Sequence, residues 1–276
     1  MRRVVAITGA GRGIGRATAQ LFADQEATVC LGDLDGDSVI DAATAIGDNA
    51  HPFQVDVRSE DSVQDFIASI EHSVGAVDVL VNNAGLMPVG RFLDEDPAIT
   101  EAVIAVNLLG PINGMRAVLP GMIERRQGHV VNVASMLGRT ELPGLASYIA
   151  TKHALVGLTA AVRSEISGTG VTLTTVLPSV VNTELSSGIA IPGALSRLAR
   201  VEPQDVATAI VGSCEGRPNE VTVPRWLALY PMLRPFIPDR VERIVRRLIG
   251  DDRALTAVDP AQRAAYAERI ARQTRD

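Results

Sequence analysis

The sequence predicts an α/β fold: a doubly wound parallel sheet of about seven strands, helices on both faces, and a helical C-terminal extension. Three observations predict it. Seven short runs are rich in β-branched residues and show little apolar–polar alternation, as strands covered on both faces do. Helix-sized stretches separate them, which requires crossover connections and parallel pairing. The chain also opens with a strand, a glycine-rich loop and a helix in immediate succession. With right-handed crossovers, ligands are expected outside the carboxyl ends of the strands.

The elements follow in order. RVVAIT (3–8) is the first strand, and TGAGRGIG (8–15) leads from it into a helix over 13–24. ATVCLG (27–32) is the second; a helix over 37–46 follows, with Asp33, Asp35 and Asp37 all available near its start. HPFQVD (51–56) precedes a helix over 60–74, and VDVLVN (77–82) precedes a long one over 100–126. GHVVNVAS (128–135) leads to a helix over 147–167, then VTLTTVL (171–177) and a weaker EVTV (220–223).

Residues 1–223 therefore read as one nucleotide-binding and catalytic domain, and 224–276 as a helical extension packed on or beside it. Charge changes at the same place. Residues 221–276 carry 11 Arg against 7 acids, a local +4 in a chain of net −6. In PDRVERIVRRLIG (238–250) the apolar residues fall on one helical stripe and the arginines largely off it. Together with WLALYPMLRPFIP before it, this segment reads as a helix packed on its own subunit or a partner. Peripheral contact with an anionic membrane is the alternative. The stretch 260–273 reads as an exposed helix.

Composition narrows the function. Aromatics are only 3%, so Val, Ile, Leu and Ala must build the core, and the acidic balance argues against nucleic-acid binding. Cys30 and Cys214 lie far apart, as buried thiols in a reducing compartment do. His51, His72, His129 and His153 show no ligand spacing, so no metal site is expected. The N-terminus lacks the pattern of a signal peptide, and no run approaches 18 apolar residues, so a cytoplasmic location is expected.

Gly9, Gly13 and Gly15 permit a tight turn and close backbone approach to a pyrophosphate at a helix N-terminus. Asp33 lies where an acid can accept hydrogen bonds from an adenosine ribose, about 20 residues on. A carboxylate there repels a 2′-phosphate, which favours NAD(H) over NADP(H). Arg12, within the loop, could reach such a phosphate and keeps NADP(H) as the alternative.

TGxxxGxG, NNAG (82–85), Ser135 thirteen residues before Tyr148, and YxxxK occur in one order that resembles the short-chain dehydrogenase/reductase family. The resemblance runs from about residue 3 to 223. It implies a Rossmann-type fold and hydride transfer between a nicotinamide and an alcohol or carbonyl. It implies catalytic roles for Ser135, Tyr148 and Lys152, and for Asn107 as holder of a relay water. Cofactor contacts are implied at Ile14, Asp56, Val57, Asn83, Ala84, Gly85, Pro178, Val181 and Thr183, besides the glycine loop, Tyr148 and Lys152. A homodimer or homotetramer is implied too. Ser179 departs from the family, which usually has glycine after that proline.

Lys152 is the only lysine among 26 basic residues, four positions after Tyr148 and on the same helix face. A tyrosine base must ionise well below its ordinary pKa of about 10. A cation about 4 Å away offers on the order of 4 kcal/mol at an effective dielectric near 20, enough for a shift of about 3 units. Lysine is thus expected to lower the tyrosine pKa. Ile, Leu and Ala in ELSSGIAIPGALSRLARVE (184–202), with Leu142 and Leu145, suggest an apolar, lipid- or steroid-like secondary alcohol or ketone. The alternatives are an NADPH-dependent reductase of acyl-linked carbonyls and a non-catalytic cofactor-binding sensor or scaffold.

Overall fold

In the computed structural model of the chain, the described residues are 2–187, 200–236, and 263, 266, 268 and 270. Seven strands form one parallel sheet: β1 (Val4–Thr8), β2 (Thr28–Asp33), β3 (Ala50–Gln54), β4 (Val79–Asn82), β5 (Gly128–Val133), β6 (Val171–Pro178) and β9 (Glu220–Val223). Their spatial order is β3-β2-β1-β4-β5-β6-β9. Two-residue strands β7 (Val180–Val181) and β8 (Arg200–Val201) pair separately.

The order reverses between β1 and β4, so the crossovers diverge there and leave a crevice at the carboxyl ends. The glycine loop and the NNAG segment both sit at that point. Helices α1 (Gly13–Asp24), α2 (Gly36–Ile46), α3 (Glu60–Ser73), α4 (Pro97–Ile104), α5 (Gly110–Glu124), α6 (Ala146–Glu165) and α7 (Pro203–Gly216) are the principal connections. Val5, Ile7, Val29 and Leu31 pack with Phe22 and Ile210 on one face. Ala6, Cys30 and Leu80 pack with Phe66, Ile70 and Met122 on the other. Alternate residues of one strand thus serve two cores, which is why the strands read as continuous apolar runs.

One polar chain crosses the sheet interior. Asn82 Nδ2 donates to Asn132 Oδ1 at 2.8 Å, and Asn132 Nδ2 donates to Thr159 Oγ1 at 2.9 Å, so the buried amides are partnered. It ties β4 and β5 to α6, the helix that carries Tyr148 and Lys152.

Two expectations need correction. The helix expected over 100–126 is α4 and α5 joined by a π turn, Ala105–Leu109, centred on Asn107. Its run, Pro97–Glu124, is long and apolar enough to cross a membrane, but half of the apolar stretch is buried inside the fold. The stretch 260–273 is not simply exposed. Arg263, Tyr266, Glu268 and Ile270 are helical, and Arg263, Tyr266 and Ile270 are only 7, 4 and 5% exposed. Tyr266 and Ile270 pack with Leu86, Ala102 and Val103. Their spacing puts one helix face inward, but an arginine and a tyrosine on that face disguise it as polar sequence. The 238–250 helix and most of the 184–202 segment lie outside the described residues.

Candidate active site

The glycine loop is shaped by backbone demands. Gly9 has φ +64°, and a Cβ there would meet Ala84 Cα at 2.8 Å; Gly13 has φ +54°. Gly15 packs against the Gly9 carbonyl and the Asn83 amide, beneath the loop rather than on the cavity surface. Asn83 Nδ2 donates to Thr8 O (3.0 Å) and Gly9 O (2.9 Å), while Asn83 N and Ala84 N donate to Thr8 Oγ1. The NNAG segment therefore braces the loop. At the start of α1, Arg12 makes no side-chain cap and no acid occupies the first turn. Its leading amides are left for a ligand, as an anion-binding terminus requires.

Asp33 lies at the end of β2 on the cavity wall. Its Oδ2 accepts from Gly11 N at 2.9 Å and its Oδ1 from Asp35 N at 3.2 Å. The α2 cap is Asp35, whose side chain accepts from Ser38 N, so Asp33 is released from the capping role. Arg12 pairs with Asp35 and, at 3.6 Å, with Glu184. Asp56 accepts from the Arg58 guanidinium and backbone, and both line the cavity with Val57. Thr183 sits beside Gly13, where an added Cβ would meet the threonine Cγ2 at 3.4 Å, and Thr183 N donates to Val181 O at 2.8 Å. Despite Ser179, the chain there is held to the sheet, since Ser179 N donates to Val223 O at 2.8 Å.

A cavity of about 750 Å³ joins these residues to Ser135, Tyr148 and Lys152. The expected contacts Ile14, Ala84, Gly85, Pro178 and Val181 line it as well. A cradle that no Cβ could enter, an uncapped helix start and an acid past the second strand fit an adenine dinucleotide on one side. The other side is apolar, lined by Leu86, Met87, Leu142, Leu145, Trp226 and Tyr230 among others.

Ser135 lies two residues past β5 and caps a short 3-10 turn, Met136–Gly138, accepting from Leu137 N at 3.1 Å. Tyr148 is buried, with Ser135 near enough to its phenol to favour ionisation. One turn along α6, Lys152 Nζ lies 5.6 Å from the Tyr148 ring centroid and donates to Val133 O at 2.9 Å. Burial pushes the Tyr148 phenol up to about 12, against a lowering by Ser135, with Tyr266 adding to the rise. Burial likewise brings Lys152 down to about 8. This corrects the expected direction: in the protein alone, desolvation outweighs the lysine, which is turned to a carbonyl and stands off the ring.

Asn107 is fully buried, and its amide is spent elsewhere than on the cavity. Nδ2 donates to Leu86 O (2.8 Å) and Thr151 Oγ1 (3.2 Å), and Oδ1 accepts from Leu86 N (2.8 Å). The side chain fastens the loop after β4 to α6. Its π turn is the kind of helix irregularity that marks functional sites.

Sequence reasoning missed Tyr266, Tyr230 and Trp226 as cavity residues. They come from the extension, where only the spacing of 263, 266 and 270 offered a signal.

A Rossmann-type sheet with a glycine cradle at its switch point, joined to a Ser–Tyr–Lys group, is the architecture of a nucleotide-binding oxidoreductase fold. A sequence model of the family described as short chain dehydrogenase matches residues 3–191. The chain belongs to the short-chain dehydrogenase/reductase family. It is 35% identical over 252 residues to the probable oxidoreductase EphD of Mycobacterium tuberculosis, covering 84% of this chain and 43% of that protein. The chain thus spans less than half the length of that relative. It is 32% identical over 254 residues to rat (Rattus norvegicus) estradiol 17-beta-dehydrogenase 11, covering 90% of this chain and 84% of that one. A Burkholderia phymatum short-chain dehydrogenase/reductase solved in complex with NAD superposes with a TM-score of 0.77 at 26% identity, covering 84% of this chain and 92% of that one. The 3-ketoacyl-(acyl-carrier-protein) reductase of Brucella melitensis, complexed with NADH, gives 0.70 at 29%, covering 77% and 90%.

Proposed function

We propose that this chain is an NAD(H)-dependent oxidoreductase that interconverts a secondary alcohol and a ketone of apolar character. The observation that carries the reading is one cavity holding Asp33 at one end and the Ser135–Tyr148–Lys152 group against an apolar wall at the other. Asp33 would bind the adenosine ribose through the remaining lone pairs of its two oxygens, each of which already accepts one backbone amide. Arg12, engaged with Asp35 and Glu184, stands in an acidic setting that disfavours a 2′-phosphate. When bound, a nicotinamide supplies or accepts the hydride.

Tyr148, held protonated by burial, donates its proton to the ketone oxygen in reduction and recovers it in oxidation. Ser135 donates to the same oxygen as negative charge develops there. Lys152, 5.6 Å from the ring centroid, carries a nearby cation that would favour the tyrosinate whenever that forms. Asn107 positions rather than reacts: its amide is occupied, so a relay water would rest on the backbone of the π turn.

The test is Tyr148→Phe, followed by absorbance of reduced nicotinamide over a panel of hydrophobic alcohols and ketones. Turnover should vanish while NADH affinity stays within about twofold; an active variant would refute the mechanism. Turnover with NADPH on acyl-linked carbonyls alone would replace the reading with the ketoacyl-type alternative. Cofactor binding without turnover of any carbonyl would leave a sensor.

The proposal extends to partners. A homodimer or homotetramer is supported by the exposed Phe92 and Leu93 before α4 and by Ile104 and Leu109 on the long helix. Trp226, Leu229, Leu233 and Phe236 are exposed just before the basic 238–250 stretch. An apolar face with adjoining arginines supports peripheral contact of a cytoplasmic protein with an anionic membrane.

A further inference from the structure

Arg263 is a buried guanidinium without an acidic partner among the described residues, beside a catalytic cavity. Removing a cation from water is costly, so such a group persists only where hydrogen bonds compensate for lost hydration. Its donors go to three carbonyls of two separate segments. Nη1 reaches Leu185 O (3.3 Å) and Ser187 O (3.0 Å), and Nη2 reaches Met87 O. Met87 follows NNAG; Leu185 and Ser187 follow the Val181–Thr183 stretch. Burial lowers the Arg263 pKa, consistent with a desolvated group that remains charged.

Tyr266, one turn later, completes the join. Its hydroxyl accepts from Met87 N at 2.9 Å, and its ring lies 5.1 Å from the Arg263 guanidinium carbon. Both polar groups of the Met87 backbone are therefore held by the extension. The Tyr266 ring lines the cavity, packs with Leu86, and has Leu185 against the same cluster. With the hydroxyl committed to Met87, the ring turns apolar surface toward the space in front of Tyr148.

We infer that the C-terminal segment is part of the substrate site: Tyr266 is a specificity-determining wall for an apolar substrate, and Arg263 is a positioning residue that latches the segment after Thr183 to the loop after β4. The latch holds these segments at Met87, Leu185 and Ser187, beyond the residues expected to face the cofactor, so it should govern substrate affinity more than cofactor affinity. Only its kinetic readout rests on the alcohol–ketone reading above.

The experiment uses the full chain as wild type, Arg263→Met, Arg263→Lys and Tyr266→Phe. It combines steady-state kinetics with a hydrophobic secondary alcohol, NADH titration, and hydrogen exchange of the backbone. Arg263→Met should raise KM about tenfold or more, from the loss of hydrogen bonds to a charged group, with kcat changed less than about threefold. NADH affinity should fall less than about threefold, well below the effect on KM. Arg263→Lys, which keeps the charge without the fork, should recover only part of the loss. Tyr266→Phe keeps the ring and should free the Met87 amide to exchange faster while preserving the fold.

Unchanged KM in Arg263→Met, or equal loss of NADH and alcohol binding, would overturn the latch. So would Met87 exchange in Tyr266→Phe matching wild type. Should Arg263→Met fail to fold, Tyr266→Phe decides by the same exchange. Should the wild type turn over no alcohol, the functional reading fails, and exchange together with NADH titration still decides the latch.

Discussion

Lys152→Met tests the electrostatic account most directly, because the lysine is both buried and charged near neutral pH. Its pKa falls from 10.5 to about 8 on folding, with burial as the cause. Between those values the unfolded chain binds the proton and the folded chain does not, so stability rises with pH across the window. Below about pH 8 both states are protonated, and the folded state carries the full cost of the buried charge. That cost is on the order of 3 kcal/mol, from about 1.4 kcal/mol per unit. Methionine has no such cost but forfeits the bond to Val133 O, worth roughly 1–3 kcal/mol at any pH. The constant part cancels when the two proteins are compared across pH. Wild type should therefore gain about 2 kcal/mol on Lys152→Met between pH 7.5 and 10, by linkage. Tyr148 does not interfere, since it stays protonated in both states until about pH 10 and is present in both proteins. Urea unfolding followed by circular dichroism reads the difference. Lys152→Arg is the control: its charge persists throughout, so its stability difference from Lys152→Met should stay flat, and its activity should fall despite the retained cation. A wild-type difference constant within about 0.5 kcal/mol over the window would refute a desolvated Lys152.

Two further outcomes follow from the same geometry. Asp33→Ala removes the acceptor for Gly11 N and for a ribose; NADH affinity should fall about tenfold to a hundredfold, with NADPH affected less. An unaltered NADH-to-NADPH ratio would show that Asp33 does not discriminate. The wild type should sediment with anionic vesicles at low salt and not with neutral ones, and Leu229→Asp should abolish this. Wild type that stays in the supernatant with both vesicle types would refute membrane contact.

The dinucleotide end of the site was legible because it is written in residue types with few alternative uses. Gly9 and Gly13 hold positive φ, and the segment after β4 packs too close to Gly9 for any other side chain. Asp33 was ambiguous in sequence, since Asp35 and Asp37 stand nearby; the structure separates them by giving the α2 cap to Asp35. Strands were legible for the opposite reason, as burial on both faces erases polar positions. The substrate end was legible only in part: Leu142 and Leu145 line the cavity as expected, but Tyr266 was missed. Tyr266 reaches Met87 across 179 residues of sequence. No local pattern encodes such a contact, and an arginine heading the buried face made it look solvated. The direction of the Tyr148 shift was hidden for a related reason: the YxxxK spacing shows the neighbouring charge but not the burial of the phenol.

That burial bears on how one residue serves both directions of the proposed reaction. Desolvation moves Tyr148 up and Lys152 down, so the phenol stays neutral, the lysine keeps its charge with little to spare, and no tyrosinate forms at neutral pH. Tyr148 is then an acid by default, suited to delivering a proton to a ketone. It becomes a base only when more positive charge stands nearby than Lys152 provides, and an oxidised nicotinamide carries that charge where a reduced one does not. The same low dielectric that raises the phenol also magnifies the arriving charge, so the proton affinity of Tyr148 would follow the redox state of its neighbour. On this argument the buried setting is not an obstacle that Lys152 must overcome. In the proposed reaction it would couple the proton step to the hydride step, with Lys152 keeping the swing within reach of neutral pH.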